Sequence, residues 1–102
     1  MDIESLKSML ESGQDSLILR FGLGQALLKQ KEYPAAIEHL LKALDFDLEY
    51  SAAYKLLAKA YSLSDQNQLA IDTYEKGIQI AESKGDIQAA KEMKVFLKRL
   101  KQ

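Results

Sequence analysis

Apolar residues recur three and four positions apart along nearly the whole chain, and no segment alternates apolar and polar residues as a half-buried strand requires. Ile3, Leu6 and Leu10 mark a first helix over about 2–11, which Ser12-Gly13-Gln14 interrupts. Asp15 or Ser16 can cap a second helix reaching about Gln30 by accepting from its free N–H groups. Lys31-Glu32-Tyr33 reads as a turn, with Pro34 at the first helical position of a third helix that ends near Phe46. A turn over 47–50, with Ser51 as a candidate cap, leads to a fourth helix ending near Leu63. Ser64-Asp65-Gln66-Asn67 breaks the pattern before a fifth helix over 68–83. Gly85 suits a left-handed residue after that helix and Asp86 an N-cap before a last one, which reaches Leu100. Six helices with short connections make antiparallel neighbours, so the fold class is all-α.

Composition agrees with that pattern. In 102 residues there are 5 Gly, 1 Pro and no Trp, while the strong helix formers are abundant. With no cysteine, disulfides and thiolate metal sites are excluded. A net charge of -1, from 14 basic and 15 acidic residues, gives no whole-molecule field for nucleic acid or membrane. The start, Met1-Asp2-Ile3-Glu4, does not read as a secretion signal, and the apolar runs are too short to span a bilayer. A soluble cytoplasmic protein is expected.

The helices carry an internal repeat. A shift of 34 residues superposes Leu23 on Leu57, Ala26 on Ala60, Ala36-Ile37 on Ala70-Ile71 and Lys42 on Lys76. Gly24 meets Ala58, Leu27 meets Tyr61, Leu40 meets Tyr74 and Ala43 meets Gly77. Small residues at 24, 58, 70 and 77 would let the two helices of a hairpin approach closely, while Tyr54 and Tyr61 fill the space beside that contact.

The period and these residues resemble the tetratricopeptide repeat (TPR) family. Segment 51–84 resembles it most, with Tyr54 at the Trp position, Leu57-Ala58 for Leu-Gly, Tyr61 for the Tyr, and Ala70 and Tyr74 further on. Segment 17–50 keeps Leu23-Gly24, Ala36 and Ala43 but has Arg20, Leu27 and Leu40 at the aromatic positions. Leu48 and Glu82 replace the closing proline. The resemblance implies a single domain: a right-handed superhelical solenoid of two hairpins, with an N-terminal helix over 2–11 and a C-terminal capping helix over 86–101. In the last helix, Ala89, Met93, Phe96 and Leu100 form a stripe fit to cover the second hairpin, with Lys91, Lys94, Lys98 and Lys101 towards solvent.

The inventory for chemistry is thin. His39, the single histidine, has no partner for a metal site. Asp45, Asp47 and Glu49 lie in a polar turn where water solvates them. Gly22 and Gly24 fall inside a helix, without the strand and turn that a nucleotide fingerprint needs. No nucleophile, base and orienting group can be assembled, so no catalysis, cofactor or metal is expected.

In the TPR family the first helix of each hairpin lines a concave face that holds a peptide or partner helix. The resemblance therefore implies a groove of Ile18, Phe21, Gln25, Leu28 and Lys29, continued by Ala52, Lys55, Lys59, Ser62 and Leu63. An apolar half beside a two-lysine half suits a peptide with a hydrophobic anchor and a carboxylate. Some members clamp a chaperone's terminal carboxylate with lysines and asparagines; here the single asparagine, Asn67, lies in a turn. The expectation is an adaptor for a protein or peptide partner. One alternative is a self-associating homodimer with no external peptide ligand, burying an uncapped end; Ile18, Phe21 and Leu28 would be covered by a second copy or, within one chain, by the first helix. Another uses Lys84, Lys91, Lys94, Lys98, Arg99 and Lys101 against an acidic partner; a nucleic-acid patch would need interleaved exposed aromatics as well.

Overall fold

A computed structural model describes residues 2–102. The described residues form six helices and no strand: α1 (Ile3–Glu11), α2 (Leu17–Lys29), α3 (Tyr33–Phe46), α4 (Ser51–Leu63), α5 (Asn67–Lys84) and α6 (Ile87–Leu100). Side-chain caps open α1, α2 and α6. Asp2 Oδ1 accepts from the Ser5 N–H at 2.8 Å, and Ser16 Oγ accepts from the Leu19 N–H at 3.1 Å. Ser16, not Asp15, therefore caps α2. Pro34 sits in the first turn of α3 as expected, although that helix opens at Tyr33. Ser51 is not a cap: it is the first residue of α4, is buried, and its hydroxyl donates to Asp86 Oδ2 at 2.8 Å.

Four helices end on one device. A left-handed residue follows each of α1, α2, α4 and α5: Gly13 (φ 90°), Lys31 (φ 63°), Asp65 (φ 62°) and Gly85 (φ 76°). The next N–H then reaches back across the last turn, from Gln14 to Met9 O, Glu32 to Leu27 O, Gln66 to Tyr61 O and Asp86 to Ala81 O, at 2.8–3.0 Å. Residues 31 and 65 are 34 apart, so the repeat is visible in backbone hydrogen bonds as well as in side chains.

α2 packs with α3 and α4 with α5 as two hairpins, and α3 and α4 join them. Gly24 and Gly77 sit where helices cross. A Cβ on Gly24 would lie 2.5 Å from Leu40 Cγ, and one on Gly77 would lie 2.7 Å from both Tyr54 Cβ and Met93 Sδ. Each hairpin has one glycine and one fully buried alanine at these two repeat positions, Gly24 and Ala43 in the first and Ala58 and Gly77 in the second, the glycine changing helix between repeats. α1 rests on α2 alone, through Leu6 against Leu19 and Leu23 with Ile3, Met9 and Leu10 around them. α6 covers the second hairpin with Ala90 and Met93 buried and Ala89, Phe96, Leu97 and Leu100 beside them. α4 touches α2, α3, α5 and α6, whereas α3 and α5 do not touch each other.

Arg20 fills the aromatic position of the first hairpin by a different means. Its Nε and Nη2 donate to the two oxygens of Asp15 at 2.8 and 2.9 Å, and its Nη1 lies 3.0 Å from His39 Nδ1 in α3. In the second hairpin the corresponding Tyr54 donates its hydroxyl to Leu48 O at 2.7 Å. Both side chains tie their helix to a neighbouring segment of chain through a hydrogen bond.

Candidate functional site

α2, α4 and α6 lie side by side, α4 touching both others, and together they present one face. The residues expected to line a groove do not form one continuous surface there. Ile18, 79% exposed, lies with Gln25 and Lys29 in an open cleft of about 580 Å³ between α2 and α1, where Asp2, Ile3 and Leu6 form the other wall. Phe21 turns inward and meets the Tyr50 ring edge to face, 5.2 Å between centroids. Leu28 packs on Leu27, Ala36 and Ala60, supplying floor rather than surface. Ala52 is half-buried. α1 leaves α4 and α6 uncovered, since it touches neither.

The α4 half is held differently. Lys55 Nζ is 3.2 Å from Glu92 Oε1 of α6, so its charge is already matched. Lys59, Ser62 and Leu63 line a second cavity of about 240 Å³ with Phe96, Arg99 and Leu100 of α6 and Tyr74 of α5. The Arg99 guanidinium stands 5.7 Å above the Phe96 ring, which itself stacks on Tyr74 at 6.0 Å. The ion pairs of the described residues are Arg20–Asp15, Lys55–Glu92, Lys94–Glu82 and Lys101–Glu75, which leaves Lys59 and Arg99 without a carboxylate.

Tyr74 gives this cavity its chemical character. It is 2% exposed, and its hydroxyl makes no hydrogen bond to the described residues. No fully buried polar side-chain atom lacks a partner among those residues, so the Tyr74 hydroxyl keeps some access to solvent, and the residue lines the cavity. Burial pushes its pKa up to about 12, so the group is a neutral O–H donor across the physiological range. An ammonium, a guanidinium and two hydroxyls thus surround a wall of Phe96, Leu63 and Leu100, with no acidic side chain in the lining. That arrangement accepts an anionic group carried on an apolar stem.

Sequence reasoning named Lys59, Ser62 and Leu63 for the groove, but placed Arg99 in a separate basic set, Phe96 on the packing stripe of the last helix and Tyr74 among the repeat aromatics. A basic residue beside the apolar stripe of the last helix was the available signal for Arg99. The lysines expected towards solvent are exposed, and two of them, Lys94 and Lys101, also tie α6 to α5 through Glu82 (2.7 Å) and Glu75 (3.2 Å). No group of three or more His, Cys, Asp or Glu residues among those described is placed to hold a metal, and no helix is long and apolar enough to cross a membrane.

No family model matches the chain. It is 43% identical over 100 residues to the Pseudomonas aeruginosa protein named TPR repeat-containing protein PA0015, covering 98% of this chain and 95% of that one. The solution structure of protein BPP2914 from Bordetella parapertussis is similar at a TM-score of 0.88 and 41% identity, with 98% of this chain and 87% of that one covered. A tetratricopeptide repeat domain protein from Salinibacter ruber follows at a TM-score of 0.77 and 27% identity, with 84% and 87% covered.

Proposed function

The chain belongs to the tetratricopeptide repeat proteins, and on that premise we propose that its α2/α4/α6 face is an adaptor surface for a partner polypeptide. The partner segment carries a bulky apolar residue next to a carboxylate. One observation carries this reading: the cavity at Lys59, Ser62, Tyr74 and Arg99 combines four donors with an apolar wall and holds no acid of its own. A carboxylate entering it meets two unpaired cations and a phenol whose hydroxyl lacks a partner. Its neighbouring side chain packs on Leu63, Phe96 and Leu100. Ile18, Gln25 and Lys29 extend the surface along α2 for a longer segment. TPR proteins in general serve as protein-interaction scaffolds, and no catalytic role is proposed for this face.

The test is a titration of the full chain, followed by backbone NMR shifts, with short peptides holding one aromatic or leucine beside Asp, Glu or a free C-terminus. Binding should shift the amides around Lys59 and Arg99. Lys59→Glu with Arg99→Glu should weaken it at least about tenfold, since a matched cation becomes a repelling anion. Lys55→Gln should change it little, because that ammonium already faces Glu92. Equal binding by the double-reversal variant would overturn the assignment.

A further inference from the structure

The opposite side of the molecule carries a second surface. Because α3 and α5 do not touch, a cleft of about 360 Å³ opens between them, floored by Tyr54 and Tyr61 of α4. Leu41, Leu48 and Leu69 stand exposed along it, Leu48 at 65%. Asp45 and Asp72 line it without any ion pair, and Lys76 is its single cation. α3 ends there with no basic residue in its last turn, so its carbonyl end adds to the negative potential, and Asp47 and Glu49 follow directly. An apolar cleft with an acidic end is unusual to leave open on a small soluble domain.

The outer side of α6 is its counterpart. Ile87, Lys91, Val95 and Lys98 follow at intervals of four, four and three, all exposed, Val95 at 50%. Lys91 and Lys98 make no ion pair, unlike Lys94 and Lys101 one step round the helix. The ridge is therefore apolar with two unpaired positive charges, and the cleft is apolar with two unpaired carboxylates against the single ammonium of Lys76. Their lengths agree: Ile87 to Val95 spans about 12 Å of helix and the α5 wall from Leu69 to Lys76 about 10 Å.

We propose that this chain associates with itself by seating the α6 ridge of one copy in the α3/α5 cleft of another. Ile87 and Val95 enter between Leu41 and Leu69, and Lys91 and Lys98 approach Asp45 and Asp72. The contact joins two unlike surfaces, so every copy offers one of each. It leaves the α2/α4/α6 face free, and it stands apart from the peptide reading of that face.

Analytical ultracentrifugation of the full chain across concentration tests it. The average mass should rise with concentration and fall back with added salt. A ridge variant, Ile87→Glu with Val95→Glu, and a cleft variant, Leu41→Glu with Leu69→Glu, should each bind themselves at least about tenfold more weakly. Mixed together they should form one-to-one pairs, because one supplies an intact cleft and the other an intact ridge. If a leucine variant misfolds by circular dichroism, Lys91→Glu with Lys98→Glu and Asp45→Lys with Asp72→Lys replace the pair, with recovery again expected on mixing. A wild-type chain that stays monomeric at the highest attainable concentration overturns the proposal. So does undiminished self-association of either variant, or a mixture that fails to pair. Loss of a different protein's binding in the cleft variant, with a monomeric wild type, also overturns it.

Discussion

His39 Nδ1 accepts a hydrogen bond from Arg20 Nη1 at 3.0 Å. Arginine has only donors, so the imidazole here is neutral, with its proton on Nε2. Burial first, and the Arg20 charge second, hold the His39 pKa below its usual 6.5, with Lys7 adding to the effect and Glu38 and Asp15 opposing it. The unfolded chain therefore binds more protons than the folded one just below pH 6.5. Stability is complete above that pH, falls as pH drops towards the folded pKa, and levels off beneath it. Chemical denaturation midpoints between pH 7.5 and 5 should show this loss for the wild type. A His39→Gln variant should be flat across the same window; an equal slope in both would sink the argument.

The Asp15 carboxylate titrates lower. The Arg20 guanidinium hydrogen-bonded to it holds its pKa below 3.8. Its contribution is present above 3.8 and fades as pH falls beneath that value. Asp15→Asn should remove part of the acid sensitivity below pH 4 while leaving a His39-dependent loss below pH 6.5 in place, a separation that fluorescence-monitored acid titration resolves.

Three helical glycines should respond differently to alanine. Gly22 faces only Leu6 Cδ1, 3.8 Å from where a Cβ would stand, so Gly22→Ala gains helix propensity and should stabilise by about 0.5–1 kcal/mol. Gly77→Ala drives its methyl into Tyr54 Cβ, which moves only with its backbone, and should destabilise by about 1–3 kcal/mol. Gly24→Ala should fall between, since the obstructing atoms belong to the Leu40 side chain. Urea melts of the three variants give the order directly.

Lys31 and Asp65 occupy left-handed backbone that glycine occupies after α1 and α5. Lys31→Gly and Asp65→Gly should each stabilise by about 0.5–1 kcal/mol, and Gly85→Ala should cost about 1 kcal/mol. Thermal melts showing the reverse sign at both 31 and 65 would mean that side-chain contacts, rather than φ, set those turns.

Ser51 and Asp86 form a couple across 35 residues. Ser51→Ala should cost about 1 kcal/mol through the lost bond. Asp86→Ala should cost about 2 kcal/mol, because the same carboxylate also accepts from the Ala89 N–H at 3.3 Å to cap α6. The double variant should cost less than the sum of the two, which a double-mutant cycle measures.

The helices were legible because periodicity, Pro34, Gly85 and the caps at Ser16 and Asp86 all act within a turn or two of chain. The repeat was legible because Gly24/Ala58 and Ala43/Gly77 answer to one packing demand at a fixed spacing. The candidate site was harder, since it depends on how far each helix rolls. Leu28 lies on the expected face of α2 yet turns onto Ala60, and Lys55 meets Glu92 across 37 residues, a pairing no local pattern encodes. Tyr74 reads as a repeat aromatic by spacing, and it is buried; its place in the cavity lining gives it a second role. Arg20 read as a departure from the repeat because its two partners, Asp15 and His39, lie in different elements.

α4 touches four of the five other helices, and no helix from α1–α3 touches α5 or α6. Were α4 to melt, the N-terminal three helices and the C-terminal two would share no helix-to-helix contact and would come apart as separate fragments. Most of the coupling between the two ends therefore passes through thirteen residues, with the Lys84 hydrogen bond to Glu49 O as a side route. The amides of α4 should be the last to exchange with deuterium, opening only when the whole molecule does.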